Sequence, residues 1–421
     1  MGSALDVNQT ELLSIYNDFV ESDKFKWMTI GDNYYKGKHD ILFGKQYKYL
    51  NNGEKIENKN QPNNTLYFNY IKFIVDQKVN YSLSIPPQFS CNDENYLSKL
   101  ESMLIDNDFN YYLPILGTKS SNEGISWLQI YTDENNEFKF MIVPSQQCVP
   151  LWEDEFHTSL NAMIRVYDSL EEFDLSNPQL MTIIEYWTKT DMKKFKISKS
   201  EITQLDSSNL LDLLDGQYIG EAIEYNNPIN NWGKVPFIAF KNNLNEQPDI
   251  EQIKEQIDAM DLVLSNSINS IEQQRENILV IENANGSDPD ILLNNIKLYG
   301  LILTQNVDGN GSKVKSISNP INYDGSLNMF KTLKDSVMEI SNSANIYHEI
   351  KSSTSELNLK LLYKGLDIKC TNFEREFRKG FNDLQYFFKK YLNIKGTEIN
   401  NIAQIEFLRN SLQNDLPNIA K

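Results

Sequence analysis

Apolar residues recur at steps of three or four within a stretch of about 28 residues, 249–276, beyond the middle of the chain. The stretch follows Pro248, and its members, here called the apolar seam, are Ile250, Ile253, Ile257, Met260, Leu264, Ile268 and Ile271. This spacing places them on one side of an α-helix, and about 28 residues at 1.5 Å each make that helix roughly 42 Å long. A small globular domain cannot contain such a helix, so the sequence predicts an elongated region.

Two further helices are predicted downstream of the seam. A returning helix is expected over 321–342, after a small α/β insertion over 278–320. The last helix is the longest, because apolar residues continue at steps of three and four from Leu359 to Tyr391. We expect its two glycines, Gly365 and Gly380, to mark a bend or a close contact.

The chain before the seam combines helical and strand patterns. Helices are predicted over 10–30 and 64–82. Between 138 and 240, short apolar or β-branched runs alternate with polar segments, which indicates a mainly antiparallel β region. A short helix is also expected over 402–412. With 421 residues the chain exceeds one ordinary domain, so two or more structural regions are predicted.

The charge balance limits what kind of partner the protein can hold tightly. The chain carries 58 acidic and 40 basic residues, a formal net charge of -18. Proteins that grip the phosphate backbone release counterions through clustered basic residues, so an adhesive DNA-binding surface is not expected. A soluble surface that resists self-association is the simpler explanation of the acidity.

Acidic residues are concentrated on the helix that carries the seam. At about 100° per residue, one flank of that helix holds Glu251, Glu255, Asp258 and Glu276. The longest helix is predominantly basic. Helices of opposite sign suit packing between subunits, and two solvated faces explain the same pattern equally well.

Motifs of catalytic chemistry are missing from the sequence. It contains neither a Walker-type phosphate loop nor a His-Glu-x-x-His motif, which excludes a P-loop motor and the simplest metallohydrolases. His39, His157 and His348 are far apart and are interpreted as surface or loop residues. Three widely spaced cysteines indicate neither a disulfide framework nor a zinc site. We therefore expect no catalytic residue, no metal and no cofactor.

The sequence also predicts no membrane partner. No run approaches the roughly 20 apolar residues that cross a bilayer, and the N-terminus lacks a signal-peptide pattern. We expect a protein that is made and used inside a cell.

Three local segments, together with the order of elements, resemble the portal family of tailed phages in its SPP1-like branch. The first segment is Tyr34-Tyr35-Lys36-Gly37-Lys38-His39-Asp40-Ile41-Leu42, and the second is Asn69-Tyr70-Ile71-Lys72-Phe73-Ile74-Val75-Asp76-Gln77-Lys78-Val79-Asn80-Tyr81. The third lies within Ser353–Cys370. The run from Val75 to Tyr81 is the most specific part of the resemblance.

This resemblance implies an α+β portal fold with long stem helices, a small α/β clip, a mixed wing and a short helical crown. The implied regions are a wing over 1–248, stem helices over 249–277 and 321–342, a clip over 278–320, a tunnel loop over 343–354, a long wing and crown helix over 355–395, and a short crown or tail over 396–421. The residues assigned to the tunnel loop are Asn345, Tyr347, His348 and Lys351.

The function implied is structural. Portal subunits form a ring, by resemblance a dodecamer, around a channel for double-stranded DNA at the capsid vertex. The partners implied are other copies of the chain, the passing DNA, the terminase packaging motor, a head-tail adaptor, and the major capsid and scaffolding proteins. The location implied is the virion, after assembly in the cytoplasm of the bacterial host.

Two other classes of protein remain as alternatives at this point. Another ring or connector component of a phage or phage-tail-like particle would share the acidity and the helices. It would not be expected to place long helix, clip-like insertion, returning helix and loop in this order. An enzyme such as a nuclease would need a convergent site, which the sequence does not reveal.

Overall fold

Helices and antiparallel sheets alternate along the chain, which confirms the predicted α+β class. The structure is a computed structural model that describes residues 9–45, 47–49, 53–57, 62–170, 180–198, 232–274, 278–282, 288, 291, 306–307, 310–311, 313–317, 323–345, 356–399 and 401–409. The chain divides into two compact units. The larger unit comprises Met1–Lys38, Asn69–Lys254 and Val337–Lys421, and the smaller unit comprises His39–Phe68 and Glu255–Ser336.

The predicted helix over 10–30 is two helices, α1 (Gln9–Glu21) and α2 (Asp23–Tyr35). Ser22 separates them because its hydroxyl donates to the Phe19 carbonyl and accepts the Phe25 amide at 3.2 Å. A serine side chain that competes in this way for backbone groups favours a helix N-cap over a helix interior.

The helix predicted from residue 64 begins later, as α3 (Tyr70–Leu83). Asn69 caps it by accepting the Lys72 amide at 3.1 Å. Residues 64–68 are extended instead, because their backbone amides find side-chain acceptors on another helix of the smaller unit, described below. The apolar periodicity therefore predicted this helix correctly but placed its start too early in the chain.

Two antiparallel sheets form the centre of the larger unit. The elements up to residue 241 are β1 (Tyr47–Tyr49), β2 (Lys55–Glu57), β3 (Gln88–Ser90), α4 (Glu94–Asp106), α5 (Phe109–Glu123), β4 (Ile125–Thr132), β5 (Phe138–Val143), β6 (Cys148–Trp152), β7 (Leu160–Leu170), β8 (Leu180–Trp187), β9 (Met192–Ser198) and β10 (Phe237–Lys241). One sheet has the order β10-β4-β5 and the other β6-β7-β8-β9, with neighbouring strands antiparallel. The predicted antiparallel region is confirmed.

The apolar faces of these sheets pack against the N-terminal helices. One buried cluster brings Met28 of α2 together with Trp127, Val143 and Phe237 of the three-stranded sheet. A second cluster brings Leu12 and Leu13 of α1 onto β6, β7 and β8. These two clusters fix α1 and α2 against the sheets.

The C-terminal half is mainly helical. Its elements are α6 (Lys254–Gln274), β11 (Ile278–Glu282), β12 (Asn306–Val307), β13 (Asn310–Gly311), β14 (Lys313–Ile317), α7 (Tyr323–Ile340), α8 (Glu356–Ile394) and β15 (Gln404–Glu406). In the smaller unit β11 pairs with β14 and β12 with β13, both antiparallel. The described part of the insertion predicted over 278–320 thus contains paired strands.

α8 has 39 residues and is the longest described helix, as predicted. From Leu366 onward the regularly spaced apolar residues of α8 are buried. They are at most 7% exposed: Cys370, Phe373, Phe377, Phe381, Leu384, Phe388 and Tyr391. Gly380 marks a close contact, because a Cβ there would lie 2.8 Å from the Phe240 ring, whereas one on Gly365 would lie 3.4 Å from Asn342 Oδ1, at ordinary van der Waals distance.

The helix predicted over 402–412 is wrong for the residues described there. Gln404–Glu406 is strand β15, which pairs with β3 in antiparallel register. The side chain of Gln385 on α8 fixes the approach, since it accepts the Ala403 amide at 2.8 Å and donates to the Ala403 carbonyl at 2.9 Å. The edge of β3 and the two hydrogen bonds from Gln385 stabilise a strand here more than the short apolar pattern stabilises a helix.

Candidate functional site

The Val75–Tyr81 run lies on α3, where Asp76, Gln77, Lys78 and Tyr81 contact different parts of the larger unit. Asp76 accepts a hydrogen bond from the Tyr35 hydroxyl at 2.7 Å and pairs with Lys72. The Gln77 side chain donates to the Ala344 carbonyl and accepts the Ala344 amide, both at 2.9 Å. Because Ala344 is 1% exposed, this pair of bonds anchors the start of the predicted tunnel loop on α3.

Further along the run, Lys78 and Tyr81 join α3 to the turn before α6 and to α8. The Lys78 ammonium is buried and lies 2.6 Å from Asp249 Oδ2. The Tyr81 hydroxyl donates to Asp367 at 2.8 Å, and its ring stacks on Tyr363 at 5.8 Å. Parts of all three segments that carry the family resemblance therefore meet on α3.

Asp249 is a buried carboxylate between two lysines. Lys369 approaches the same oxygen at 3.4 Å, and Asn242 donates to the other oxygen at 3.0 Å. Burial opposes ionisation of Asp249, but Lys369 and Lys78 outweigh it and hold its pKa well below the usual range. The same contacts explain why α6 starts at Lys254: residues 249–253 are held in turns, in which the Glu251 and Ile253 amides bond three residues back.

Burial along the apolar seam falls from its N-terminal to its C-terminal end. Ile250, Ile253, Ile257 and Met260 are at most 1% exposed. Leu264 and Ile268 are half-buried, and Ile271 is 43% exposed. The seam is therefore buried within the chain only over its first half.

The predicted acidic flank is only partly on a helix. Glu255 is exposed and Asp258 half-buried on α6, one turn apart. Glu251 lies in the turn before α6, where it accepts from the Gln247 amide group at 3.3 Å. Glu276 lies outside the described residues. Glu251 therefore lies outside the helix that carries Glu255 and Asp258, because α6 starts after it.

Within the smaller unit, residues 64–68 run alongside α6 as an extended segment, here called the strap. The backbone amides of alternate strap residues donate to helix side chains four residues apart: Asn64 to Asn269 at 2.7 Å, Leu66 to Ser265 at 2.9 Å, and Phe68 to Asp261 at 3.2 Å. Two extended residues span roughly 6.6 Å and four helical residues 6.0 Å, so the two repeats match. This polar row on α6 takes the place of a partner strand.

His39 lies in the loop after α2, as one half of its interpretation as a surface or loop histidine has it, but it is buried and not at the surface. It is 0% exposed, and its Nδ1 lies 2.6 Å from Asp261 Oδ2. Burial raises the pKa of Asp261 against the opposing bonds from His39 and the Phe68 amide. His157 does lie in a loop, 40% exposed and 2.8 Å from Glu246, whereas His348 lies outside the described residues.

Of the four residues assigned to the tunnel loop, the structure describes only the first, Asn345. Asn345 is half-buried directly after the anchored Ala344. Tyr347, His348 and Lys351 lie outside the described residues, so their role stays a prediction.

Sequence reasoning missed the buried ionic contacts of Lys78 and His39. For Lys78 a signal exists, because it follows Ile71, Ile74 and Val75 at helical spacing on the apolar side of α3. For His39 none exists, because its partner is 222 residues away.

Over the described ranges, no group of three or more His, Cys, Asp or Glu residues is arranged to hold a metal ion. Over those same ranges, each helix is too short or too polar to span a bilayer.

Comparison with known proteins agrees with the resemblance in the local segments. Residues 22–420 match the family model described as phage portal protein, SPP1 Gp6-like. The chain is 26% identical over 399 residues to the portal protein of Clostridium phage phiCD119, covering 90% of this chain and 84% of that protein. It is 25% identical over 393 residues to the portal protein of Bacillus phage SPP1, covering 91% of this chain and 74% of that protein. This chain belongs to the SPP1 Gp6-like family of phage portal proteins.

Proposed function

We propose that the chain is the subunit of a closed ring, a dodecamer, which surrounds a channel for double-stranded DNA at the capsid vertex. DNA is packaged and ejected through this channel. The terminase motor, the head-tail adaptor, and the capsid and scaffolding proteins dock onto the ring, which assembles in the host cytoplasm before it becomes part of the virion. The observation that carries this proposal is the family match over residues 22–420. The role is structural and not enzymatic.

The regional assignment follows from the same proposal. The wing covers 1–248, and α6 and α7 belong to stem regions over 249–277 and 321–342. The clip covers 278–320 and the tunnel loop 343–354. α8 is the core of the wing and crown helix over 355–395, and a short crown or tail follows over 396–421. In support, Gln77 anchors Ala344, the second residue of the tunnel loop.

Assembly into a ring is supported by apolar side chains that the single chain leaves exposed. In the smaller unit, Leu262 and Ile271 on α6 and Leu327 and Met329 on α7 are between 43% and 54% exposed. Burying such side chains against a second copy is favourable, and a closed ring satisfies the contact for every subunit.

The acidic charge supports a channel that DNA passes without sticking. Duplex DNA carries about one negative charge per 1.7 Å of its axis, so a basic wall would bind it tightly. Glu255 and Asp258 on α6, together with Glu251 and Glu276, are the residues we assign to the channel wall. Lys351 is the cation we assign to contact passing phosphate from the tunnel loop.

Two substitutions in the seam distinguish folding from assembly. Ile271→Asp places a charge on a side chain that is 43% exposed, so the subunit should fold and the ring should fail to form. Ile257→Asp places the charge where the side chain is 1% exposed, so folding itself should weaken by several kcal/mol. Ile271→Val is the conservative control and should still assemble.

Native mass spectrometry and negative-stain imaging of the purified proteins provide the measurement. The wild type and Ile271→Val should show rings, and Ile271→Asp folded monomers. A wild-type protein that stays monomeric at micromolar concentration, with or without other particle components, would contradict the ring.

A further inference from the structure

A cavity of about 190 Å³ in the larger unit has no role in the portal function as proposed above. Its wall combines Lys78 of α3, the turn before α6, the end of α7 with Ser341 and Asn342, and Lys369 of α8. Water occupies about 30 Å³ per molecule in the liquid, so this space holds several waters, or one tetrahedral oxyanion with a few waters.

The charges around the cavity do not cancel. The ammonium groups of Lys78 and Lys369 lie 2.6 and 3.4 Å from one oxygen of Asp249, and the three side chains are 1%, 17% and 8% exposed. Among the described residues that line the cavity, Asp249 is the one carboxylate. Two ammonium groups therefore share one carboxylate at the wall of a partly open cavity, and Lys78 also donates to Asn242 Oδ1 at 2.5 Å.

Such an excess of positive charge is costly unless an anion accompanies it or the buried lysine loses its proton. Burial and the repulsion of Lys369 lower the pKa of Lys78 to about 8, against the attraction of Asp249. Water can solvate the excess charge but cannot neutralise it. A cation would meet two ammonium groups, and an apolar ligand would leave both without solvation.

The neutral part of the wall fits an acceptor-rich ligand. Asn342 and Asn372 line the cavity and carry side-chain amide donors, whereas the Ser341 hydroxyl, which also lines it, bonds to Met338 and Ser343. Asn342 has a positive φ of 52°, a conformation that asparagine adopts more readily than most residues, directly after α7. Two lysines and several neutral donors around one space are the groups that proteins use for phosphate.

We propose that this cavity binds a phosphate group between Lys369 and Lys78. Bound there, it would tie together α3, the turn before α6, the end of α7 and α8, which all contribute to the wall. The same chemistry is offered by free inorganic phosphate and by the backbone of DNA.

Titration calorimetry of the wild-type protein with sodium phosphate at constant ionic strength tests the site. We expect one saturable site per chain. Lys369→Gln should weaken binding by about tenfold or more, because a charge-assisted contact is lost, whereas Lys369→Arg should retain most of the affinity. Lys364→Gln, an exposed position on the same helix, is the matched control and should bind like the wild type.

The proposal fails if the wild type shows no saturable binding, if Lys369→Gln binds as tightly as the wild type, or if Lys364→Gln loses as much affinity. A short DNA duplex added to the phosphate titration separates the two sources: competition assigns the site to backbone phosphate, and its absence to the free anion. Ring formation by each variant is measured separately, so rings that assemble without binding phosphate would refute this site and leave the portal function intact.

Discussion

At the scale of single residues, Glu246 shows how this acidic chain uses buried charge. Its side chain is 3% exposed and pairs with Lys241 of β10 at 2.9 Å and with Lys24 of α2. Burial opposes its ionisation, but the two lysines outweigh burial and lower the pKa of Glu246 to about 2. The ionised carboxylate thus joins two elements of the larger unit.

Glu246→Gln should destabilise the protein at neutral pH by about 3 kcal/mol, because Lys24 and Lys241 lose their buried counter-charge. The folded pKa lies below the unfolded one, so this stabilisation is present above pH of about 4.5 and is lost as the pH falls toward 2. Urea unfolding of wild type and variant should therefore give free energies that converge over that interval. Glu101→Gln, at an exposed position on α4, is the control and should change little. A difference that stays constant from pH 7 to pH 3 would contradict the assignment.

The buried charges also show where sequence reasoning about the site stops. Periodicity identifies Ile257 and Met260 as buried, and both are. It cannot identify the partner of Lys78, because Asp249 lies 171 residues further along the chain and in a turn. The family resemblance marked the run around Lys78 without giving its physical reason, which is the set of contacts from α3 to Tyr35, Ala344, Asp249 and Asp367.

At the scale of elements, α8 passes β10 at a glycine. A Cβ on Gly380 would lie 2.8 Å from the Phe240 ring and 3.0 Å from the Ala239 carbonyl oxygen. The absence of a side chain therefore permits this close approach of helix and strand.

Gly380→Ala should lower the free energy of unfolding by about 1–3 kcal/mol, because the overlap outweighs the gain of about 1 kcal/mol that alanine brings to a helix interior. Gly365→Ala is the matched control on the same helix. There the new Cβ meets its nearest atom at 3.4 Å, so the ordinary stabilisation should appear. Denaturant midpoints of both variants provide the measurement, and equal shifts in the two would contradict the close contact.

The elements that the sequence predicted well are those whose apolar pattern runs for many turns. α8 and the first half of the seam bury the residues that their spacing selects. The strap and β15 escaped prediction because each is held by side chains from distant segments, Asp261, Ser265 and Asn269 for the strap and Gln385 for β15. Local patterns decide long helices, whereas contacts between distant residues decide short extended segments.

At the scale of the whole molecule, the net charge of -18 has two explanations, which differ in where the acidic residues lie relative to the DNA. A merely soluble surface distributes acidic residues without regard to the DNA path. An acidic channel requires that particular residues, here Glu255 and Asp258 of α6, face the passing duplex.

Replacing Glu255 and Asp258 with lysine should turn a poor binder of duplex DNA into a good one, if these residues line the channel. Affinity should fall steeply with salt, with a slope of about 0.9 in log-log form for each phosphate contacted. Fluorescence anisotropy of a labelled duplex with assembled rings, from about 50 to 200 mM salt, provides the measurement. The unaltered ring should bind weakly at each salt concentration.

A double variant at exposed acidic positions of α4, Glu94→Lys with Glu101→Lys, changes the net charge by the same amount and is the matched control. If the added charge acts only through the overall field, both variants should gain affinity equally. If α6 lines the channel, the gain should belong to the α6 variant alone. Rings of the α6 variant that assemble normally and still ignore DNA, or unaltered rings that bind duplex tightly at moderate salt, would show that this flank does not face the DNA.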